Sequence, residues 1–527
     1  MIRIRDLLLP VEHTREDLLY HAAQALRIKA SQIQTLQIFK RSLDARKKPL
    51  LRWVYTVDVA LHSGERLVLR QARSNKITRE EPYHYSVTKK VLPHRPVVVG
   101  FGPAGMFAAL TLALAGSRPI VLERGDRADV RREKVEAFWN GGTLDPESNV
   151  LFGEGGAGTF SDGKLNTGTK NPRSRWILRQ LVKFGAPEEI LYDAKPHVGT
   201  DILFYVVQNI RRRIESLGGE VRFGARFTDF CVENGEIAAV SYVEQGETVI
   251  LPCKSVILAI GHSARDTYRA LHGADIPMEP KPFSMGCRIE HPQTLVDQAQ
   301  YGQSRSGSLP PADYKLSCHM EDGSSAYTFC MCPGGYVVAA ASQENTVVTN
   351  GMSYSGRDGE NANAALLVTL KPERFPYPGA LGGMLWQEEI EAAAFRLGGG
   401  NYHAPAQKVG DFLKGISSSD LGAVEPTYRP GVTLCNLHEL FPGDICQTLS
   451  AAIKTLDGQL QGFASADALL TAPETRSSAP VRILRGENFQ SSLRGLYPCG
   501  EGAGYAGGIM SAAADGMACA EAVLQAE

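Results

Sequence analysis

The sequence predicts an α/β protein in which a parallel sheet is combined with smaller α+β units. The first observation is the stretch 96–125, where an apolar strand, a glycine-rich turn, an apolar helix and a second apolar strand follow one another. The second is the stretch 494–525, which again has a short strand, a glycine-rich turn and a helix of small residues. The third is the pattern of strands and helix in the first 90 residues. A chain of 527 residues is long enough for two to four domains.

The N-terminal residues 1–90 are predicted to form a small, basic α+β domain. Thr14 with Asp17 three residues later resembles a capping box at the start of a helix. The order strand, helix, strand, strand suggests a ferredoxin-like or related two-layer fold. The predicted pieces are a strand at 1–9, a helix after Thr14, strands at 34–42 and 53–61, and a polar connector at 75–93.

The stretch 96–125 carries a dinucleotide-binding pattern of the Rossmann type. Gly100 permits the tight strand-to-helix turn, Gly102 lets a pyrophosphate approach the backbone, and Gly105 lets helix and strand pack closely. The helix N-terminus offers N–H groups and the positive end of its dipole to an anion. Glu123 lies close to the spacing of about 20 residues expected for a carboxylate that holds the ribose hydroxyls. The candidates here are Gly100, Gly102, Pro103, Ala104, Gly105, Glu123 and Arg124, the last as a contact to adenine or a phosphate.

A second glycine-rich stretch covers 144–172. Gly153, Gly155 and Gly158 also satisfy G-x-G-x-x-G, but no acidic residue closes a following strand at the right distance. We therefore predict a loop that presents backbone N–H groups to a ligand rather than a second Rossmann turn. Farther along, 255–261 is an apolar strand that ends in Gly261 and is followed by His262.

Composition excludes several classes of protein. A hydrophobic content of 43% with 21% charged residues describes an ordinary globular protein, and no apolar run suggests a membrane helix. Ten scattered cysteines favour a reducing, cytoplasmic setting, and we expect Cys330 and Cys332 to be buried structural residues. The histidines show no metal-binding spacing, so no metal site is predicted. Residues 1–96 carry a net charge of about +10; contact with the acidic remainder or simple solvation is favoured over a polyanion partner.

The two glycine-rich ends together resemble the two-dinucleotide-fold flavoproteins of the glutathione reductase and p-hydroxybenzoate hydroxylase group. In that group the last strand and helix return to the FAD domain, and an acid at the strand end holds the ribitol or pyrophosphate region. Gly500 and Glu501 stand here where Gly-Asp is usual, and Ile260 stands where Thr is usual. The stretches FWNGGTLDPESNVLFGEGGAGTFSDGKL, ETRSSAPVRI and CGEGAGYAGGIMSAAADG more closely resemble a large bacterial family of uncharacterised FAD-dependent dehydrogenases, NAD(P)/FAD-dependent oxidoreductases in the broad sense.

The resemblance implies FAD as cofactor and a set of residues around its flavin. Backbone N–H groups of the second glycine-rich loop are expected to bond the flavin N5 or O4 edge, and the C-terminal helix is expected to point its N-terminus at flavin O2. Lys164 and His262 are weak candidates for a catalytic acid or base. The further cofactor-binding candidates are Gly156, Gly158, Thr159, Ser161, Asp162, Lys164, Gly261, Gly500, Glu501, Gly508, Ile509 and Ser511.

The expected architecture is a Rossmann-like FAD-binding domain with an inserted α+β substrate domain and the small N-terminal ferredoxin-like domain. The implied function is an FAD-dependent oxidoreductase that transfers a hydride at flavin N5 and acts on an unidentified small molecule; NAD(P)H, if used, binds transiently over the flavin. Two alternatives are an RNA-modifying flavoprotein, whose basic N-terminal domain grips phosphates, and a non-enzymatic flavin-binding regulator. The predicted domains are 1–90, 94–275 as the first FAD-binding part, 276–430 as the insert, and 431–527 as the return to the FAD-binding domain.

Overall fold

The computed structural model describes residues 1–72, 74–166, 171–305 and 307–526. Residues 167–170 of the second glycine-rich stretch therefore lie outside the described residues. The predicted fold class is confirmed, because a parallel α/β sheet, a large mixed sheet and a small N-terminal α+β unit are all present. No helix of the described ranges has both the length and the apolar character to cross a membrane.

The helices and strands fall into three groups along the chain. The first contains β1 (Ile2–Pro10), α1 (Arg15–Leu26), β2 (Ile33–Asp44), β3 (Arg52–Leu61), α2 (Glu65–Gln71) and β4 (Ile77–Arg79). The second contains β5 (Val97–Val99), α3 (Pro103–Ala115), β6 (Ile120–Leu122), α4 (Ala128–Trp139), α5 (Arg173–Lys183), α6 (Thr200–Ser216), β7 (Glu220–Arg222), β8 (Ala225–Glu233), β9 (Glu236–Glu244), β10 (Glu247–Pro252), β11 (Val256–Leu258) and α7 (Arg265–Gly273). The third contains β12 (Met278–Pro280), β13 (Phe283–Pro292), α8 (Gln293–Tyr301), β14 (Ser317–His319), β15 (Ser325–Cys332), β16 (Tyr336–Ala339), β17 (Thr349–Met352), β18 (Asn361–Leu370), α9 (Gly382–Leu397), β19 (Ala404–Lys408), α10 (Val409–Phe412), β20 (Val432–Leu434), α11 (Gly443–Asp457), β21 (Leu469–Glu474), β22 (Val481–Ile483), β23 (Leu496–Pro498) and α12 (Ile509–Ala526).

The N-terminal unit has the ferredoxin-like strand order. Its sheet runs β2-β3-β1-β4 with antiparallel neighbours. The predicted capping box is confirmed: Thr14 Oγ1 accepts from the Asp17 N–H at 3.2 Å, and the Asp17 carboxylate accepts from the Thr14 N–H at 2.8 Å. The polar connector predicted at 75–93 differs at its start, because β4 forms there and completes the sheet as an edge strand beside β1. Three residues are too few to show a strand periodicity in the sequence.

The parallel sheet runs β23-β11-β5-β6-β7, so the C-terminal strand joins strands from the first half of the chain. Val97, Val98 and Val99 are buried, as expected of a central strand covered on both faces. Helix α3 is apolar on all sides and is buried along almost its whole length. Helix α12 packs directly on α3, where a Cβ added to Gly516 would lie 2.0 Å from the Ala104 carbonyl oxygen. The close contact of these helices requires glycine at 516.

The large sheet runs β14-β15-β18-β13-β21-β19-β20 and carries helix α11 against one face. Its strands come from residues 317–474 and from β13, so pairing in this sheet continues past residue 430 to Glu474. The domain limits stay predictions; the pairing shows that β23 is the strand that returns to the parallel sheet. Because all neighbours in that sheet are parallel, the carboxyl ends of β5, β6, β11 and β23 lie along one edge, where ligands of such sheets bind.

Candidate flavin site

The three glycines of the first turn occupy different surroundings. Gly100 has φ +94°, and an added Cβ would lie 2.3 Å from the Ala259 carbonyl oxygen. A Cβ on Gly105 would lie 1.9 Å from the Gly100 carbonyl oxygen. Gly102 has an ordinary φ of −74°, and its added Cβ would meet only the Gly156 Cα, at 3.7 Å. The fold thus requires Gly100 and Gly105, whereas a methyl group at position 102 would fit in ordinary contact with Gly156.

Glu123 directly follows β6, is 4% exposed and organises the same turn. Its Oε2 accepts from the Phe101 N–H at 2.7 Å, and its Oε1 accepts from the N–H groups of Gly125 and Gly153 at 2.9 Å each. A carboxylate has about four acceptor positions, so one acceptor position is left for a ribose hydroxyl. Glu123 therefore fits its predicted role and also joins the first turn to the second glycine-rich loop.

Arg124 has other partners than the predicted adenine or phosphate. Its guanidinium donates to Glu147 at 2.8 Å and to both oxygens of Asp266 at 2.9 and 3.1 Å, and it stacks on Phe152 at 4.3 Å. These contacts use its donors to hold the 144–152 segment against helix α7. A direct contact with the cofactor stays a prediction that this geometry does not favour.

The second glycine-rich loop lies between the first turn and the C-terminal helix. A Cβ on Gly156 would lie 2.8 Å from the Gly102 Cα, so the two backbones approach closely. Gly158 faces Ile509, whose Cγ1 lies 3.3 Å from the position of an added Cβ, and Pro103, whose Cγ lies 3.5 Å from it. The fold therefore brings together three segments that the sequence predicts as cofactor-binding and that are about 50 and 400 residues apart in the chain.

The hydroxyl groups of this loop bond its own backbone. Thr159 Oγ1 donates to the Glu154 carbonyl at 3.2 Å, and Ser161 Oγ donates to the Gly158 carbonyl at 2.7 Å. Ser161 Oγ also accepts from the Gly163 N–H at 3.1 Å. Thr159 and Ser161 thus stabilise the turn in which they lie.

Asp162 and Lys164 fasten the loop to the large sheet. Lys164 Nζ lies 2.9 Å from Asp162 Oδ2 and donates to the Met331 carbonyl of β15. The Arg357 guanidinium donates to both Asp162 oxygens. Burial by itself would raise the pKa of Asp162, but the charges of Lys164 and Arg357 hold that pKa well below its ordinary value. The Lys164 ammonium is therefore already paired, which weakens it as a catalytic candidate.

Gly261 and His262 follow β11 at the edge of the parallel sheet. Gly261 has φ +68° and open space where a Cβ would be, as close approach to a ligand requires. The His262 ring is 9% exposed, and its Nδ1 lies 2.8 Å from Ser263 Oγ. Burial, with the charges of Arg476 and Arg265, lowers the pKa of His262 to about 3. The imidazole is neutral near pH 7 and is a poor proton acceptor, which argues against His262 as a base.

Gly500 and Glu501 follow β23 beside the first turn. Gly500 has φ +73°, and its added Cβ would lie 2.7 Å from Ala104 Cβ. Its N–H donates to Asp515 Oδ2 of α12 at 2.7 Å. Gly502 packs on Gly261, with an added Cβ 2.4 Å from the Gly261 carbonyl oxygen. The ends of β23 and β11 are thus in backbone contact.

The Glu501 carboxyl makes no hydrogen bond or ion pair with the described residues. Burial raises its pKa to about 7, and the nearby Lys281 ammonium only partly offsets this effect. A half-buried carboxyl without a partner is destabilising unless a ligand supplies one. The hydroxyl groups of a ribitol chain would supply hydrogen bonds of this kind, so Glu501 fits its predicted role.

The start of α12 agrees with the expected closing segment. Gly508 has φ +92° and open space at its Cβ position. Ser511 Oγ donates to the carbonyls of Gly507 at 2.8 Å and Gly508 at 3.2 Å, and it accepts from the Gly507 N–H at 3.1 Å. Ser511 is therefore occupied in shaping the turn, while Gly508 leaves the approach to the helix N-terminus free.

Three residues of this region are not apparent from the sequence. Arg131 bonds the second glycine-rich loop, Lys281 lies beside Glu501, and Arg485 pairs with Asp515. No motif marks Arg131 or Lys281, since their importance depends on burial. Asp515 and Gly500, which are joined by a hydrogen bond, both lie in the CGEGAGYAGGIMSAAADG stretch. The resemblance of that stretch to a known family could therefore have pointed to Asp515.

The cysteines differ in part from the prediction. Cys332 is buried as expected, but Cys330 is exposed, in a β-bulge of β15 between Phe329 and Cys332. A bulge interrupts the regular alternation of inward- and outward-facing side chains along a strand. The position of Cys330 in the sequence therefore does not show which face of the sheet it is on. Separately, Cys499, Asp515 and Cys519 lie close enough to hold a metal ion, but the Asp515 carboxylate is already bonded by Arg485.

Comparison with known proteins gives two matches to domain families and one to a relative of the same length. Residues 282–477 match the family described as "FAD-dependent protein, C-terminal domain-like", and residues 1–60 match a domain of unknown function (DUF8436). An "Uncharacterized protein" of Clostridium beijerinckii is 46% identical over 530 residues, which covers 99% of this chain and 98% of that protein.

Similar solved structures are much more distant. The flavin-dependent brominase Bmp2 is 12% identical, with a TM-score of 0.37 over 82% of this chain and 79% of that one. Glycerol-3-phosphate dehydrogenase from Bacillus halodurans, complexed with FAD, is 12% identical, with a TM-score of 0.36 over 84% and 66%. Glycine oxidase from Bacillus cereus is 11% identical, with a TM-score of 0.30 over 82% and 95%. Likeness this low does not indicate what the chain does.

The match to an FAD-dependent protein family agrees with the glycine-rich strand-to-helix turn at 100–105. FAD is therefore the cofactor of this protein. The chain belongs to the family of FAD-dependent proteins that includes the uncharacterized protein of Clostridium beijerinckii.

Proposed function

We propose that this protein is an FAD-dependent oxidoreductase that transfers a hydride between flavin N5 and a small-molecule substrate. The proposal depends on one observation: the second glycine-rich loop contacts both the first glycine-rich turn and the start of the C-terminal helix α12. Gly156 lies against Gly102, and Gly158 lies against Pro103 and Ile509. The glycine backbone at 102 and 156, beside the apolar side chains of Pro103 and Ile509, is suited to a large planar cofactor.

The residues divide by the part of FAD that they would hold. The open turn at Gly102 and the N-terminus of α3 suit the pyrophosphate. Glu123 suits the adenosine ribose, and Glu501 suits the ribitol. The loop at Gly156 and the backbone at Gly508 suit the isoalloxazine edge. When bound, FAD supplies the two-electron chemistry, and the protein supplies orientation and electrostatics.

The large sheet offers the surface that we propose for substrate selection. Lys164 joins the flavin loop to β15 through the Met331 carbonyl. On the same strand Phe329 is 37% exposed and Tyr327 is half-buried, with ring centroids 6.3 Å apart. Tyr327 Oη donates to Ser284 Oγ at 2.9 Å. An exposed aromatic ring beside hydroxyl groups suits a substrate with an apolar part and a polar group.

The hydride donor can be identified by anaerobic reduction of the purified yellow protein with NADH, NADPH and a panel of metabolites. We expect loss of the flavin absorption near roughly 450 nm with at least one donor. If NAD(P)H reduces the flavin, the nicotinamide binds transiently over the ring rather than in a domain of its own. Failure of every donor, with ligand-dependent movement of the chain instead, would favour a flavin-binding regulator.

The Gly102→Ala variant tests the placement of the cofactor. The structure has room for its methyl group, so the fold should be retained, but the methyl group occupies the approach of the pyrophosphate. We expect folded, mostly colourless protein that no donor reduces. Gly105→Ala is the contrasting variant, because its methyl group overlaps the Gly100 carbonyl and should lower the melting temperature itself. Full flavin occupancy in Gly102→Ala would contradict the placement.

A further inference from the structure

Arg131 of helix α4 is a fully buried arginine, with 0% of its surface exposed. Its guanidinium donates only to main-chain carbonyl groups, each in the second glycine-rich segment. An arginine has five N–H donors in a rigid, planar arrangement, so one side chain can hold several peptide groups at once. The acceptors are the carbonyls of Asn149, Val150 and Glu154 at 2.8 Å each and of Gly156 at 3.0 Å.

The surroundings of Arg131 fit this role closely. A Cβ on Gly153, which has φ +118°, would lie 2.4 Å from Arg131 Cδ, so the segment wraps directly around the side chain. The Phe160 ring lies 4.9 Å from Arg131 Cζ. Burial lowers the pKa of Arg131 to about 10, with Glu123 and Glu154 acting in the other direction. The group is therefore a buried cation at neutral pH, and it bonds carbonyls rather than a carboxylate.

The carbonyl contacts fix the direction of the loop backbone. The C=O and N–H of one peptide unit point in opposite directions. Since the Gly156 carbonyl points to Arg131, the N–H of Ala157 points away from it. The same segment meets the first turn at Gly102 and the C-terminal helix through Gly158 and Ile509. Arg131 thus sets both the position of the loop and the side on which its N–H groups are presented.

We propose that Arg131 is a positioning residue for the flavin, which it controls through the 149–156 segment without touching the cofactor. The proposal rests on the proposed placement of FAD against this segment and the Gly102 turn. A residue with this role changes the environment of the bound flavin when it is replaced, whereas a residue with only a structural role changes stability alone.

Arg131→Lys is the first variant to measure. An ammonium group on a shorter chain cannot bond four carbonyls in one plane, so the loop should relax from its position. We expect the dissociation constant of FAD to rise at least roughly tenfold, together with a changed visible circular dichroism spectrum and a shifted midpoint potential of the bound flavin. Arg132→Lys is the matched control, because Arg132 is the next residue of the same helix, is exposed, and pairs with Glu136 at 3.0 Å; it should behave as wild type.

The outcomes separate the two proposals. Native affinity, spectrum and potential in Arg131→Lys, with or without a lower melting temperature, would overturn the role of Arg131. If Arg131→Lys does not fold, Phe160→Leu removes the ring that packs on the guanidinium, and the same changes are expected in smaller size; a native flavin spectrum and potential there would overturn the proposal. Gly102→Ala measured alongside tests the FAD site itself, because full flavin occupancy in that variant would mean that the placement is at fault, whatever Arg131 does.

Discussion

The protonation behaviour of Glu501 depends on its surroundings in the folded protein and is not evident from the sequence. In the chain it is an ordinary acid after a short strand. In the structure it is half-buried, its pKa is raised to about 7, and no described residue bonds it. A carboxyl group that is half protonated near neutral pH can both donate a hydrogen bond to a cofactor and accept one from it.

The raised pKa of Glu501 predicts a pH-dependent stability. The folded protein holds the proton up to about pH 7, whereas the unfolded chain releases it near its ordinary pKa. Below about pH 4.3 the carboxyl is protonated in both states and does not change the free energy of unfolding. Between that pH and about 7 the free energy of unfolding falls as the pH rises, because only the unfolded chain releases the proton. We expect Glu501→Gln, freed of FAD, to be more stable than wild type by about 1–2 kcal/mol at pH 8 and unchanged at pH 4.5, after a discount for partial exposure. Urea unfolding at the two pH values measures this.

The control for this experiment is Glu487→Gln, since Glu487 is exposed. It should shift stability little at either pH. A Glu501→Gln variant that gains no stability at pH 8 relative to pH 4.5 would mean that the carboxyl titrates normally and is not enclosed in solution.

At the scale of elements, Arg485 links β23 to α12. Its guanidinium donates to both Asp515 oxygens at 2.6 and 3.0 Å and to the Pro498 carbonyl at 2.7 Å, and it stacks on the Tyr505 ring at 3.9 Å. Asp515 in turn accepts from the Gly500 N–H. The pair thus holds the strand end, the following turn and the C-terminal helix in one arrangement beneath Glu501.

Breaking the Arg485–Asp515 pair should lower the free energy of unfolding. Arg485→Gln leaves the largely buried Asp515 carboxylate without its cation, and loss of one partner of a buried pair typically costs about 3–5 kcal/mol. We expect a loss of that order in urea unfolding, with partial recovery in the double variant Arg485→Gln and Asp515→Asn. Arg494→Gln is the matched control, because the Arg494 pair with Glu236 is exposed and should be worth less than about 1 kcal/mol. Equal losses in the two single arginine variants would contradict a special role for Arg485.

At the scale of the whole molecule, the N-terminal unit contacts both of the other regions. Arg41 pairs with Asp193 at 2.7 and 3.0 Å, and Phe39 lies between the guanidinium groups of Arg3 and Arg175, at 3.4 and 4.4 Å. Glu12 accepts from Ser308 beside the large sheet. Part of the basic excess of residues 1–96 is therefore used inside the chain, which supports the interpretation of its charge as contact with the acidic remainder.

The Arg41–Asp193 contact can be measured by a double-mutant cycle. Both side chains are about one quarter exposed, so the pair should be only moderately screened by solvent. We expect the single changes Arg41→Ala and Asp193→Asn to be non-additive, with a coupling of about 0.5–1 kcal/mol that falls as salt rises. The unfolding of the four proteins in urea gives the coupling. Full additivity would show that the N-terminal unit does not dock through this pair in solution.

Local patterns in the sequence were sufficient for the parts that local physics determines. The Thr14 capping box, the strand 97–99, the conformation of Gly100 and the helix of small residues at the C-terminus follow from short-range sterics and hydrogen bonding. The resemblance added FAD and the closing segment. The short strand 77–79 and the exposure of Cys330 did not follow, because one depends on pairing with a distant strand and the other on a bulge.

The sequence by itself determined the class of fold, since a strand-turn-helix pattern and its glycines are local properties, and its resemblance to a known family supplied the cofactor and a list of candidate segments. Only the tertiary structure decided what each polar group on that list does. Arg124 and Lys164 are paired, His262 is neutral, Glu501 is enclosed, and Arg131 holds the loop. The reason is physical: burial and the nearest charges set the state of a titratable group, and both are contributed by residues far apart in the chain.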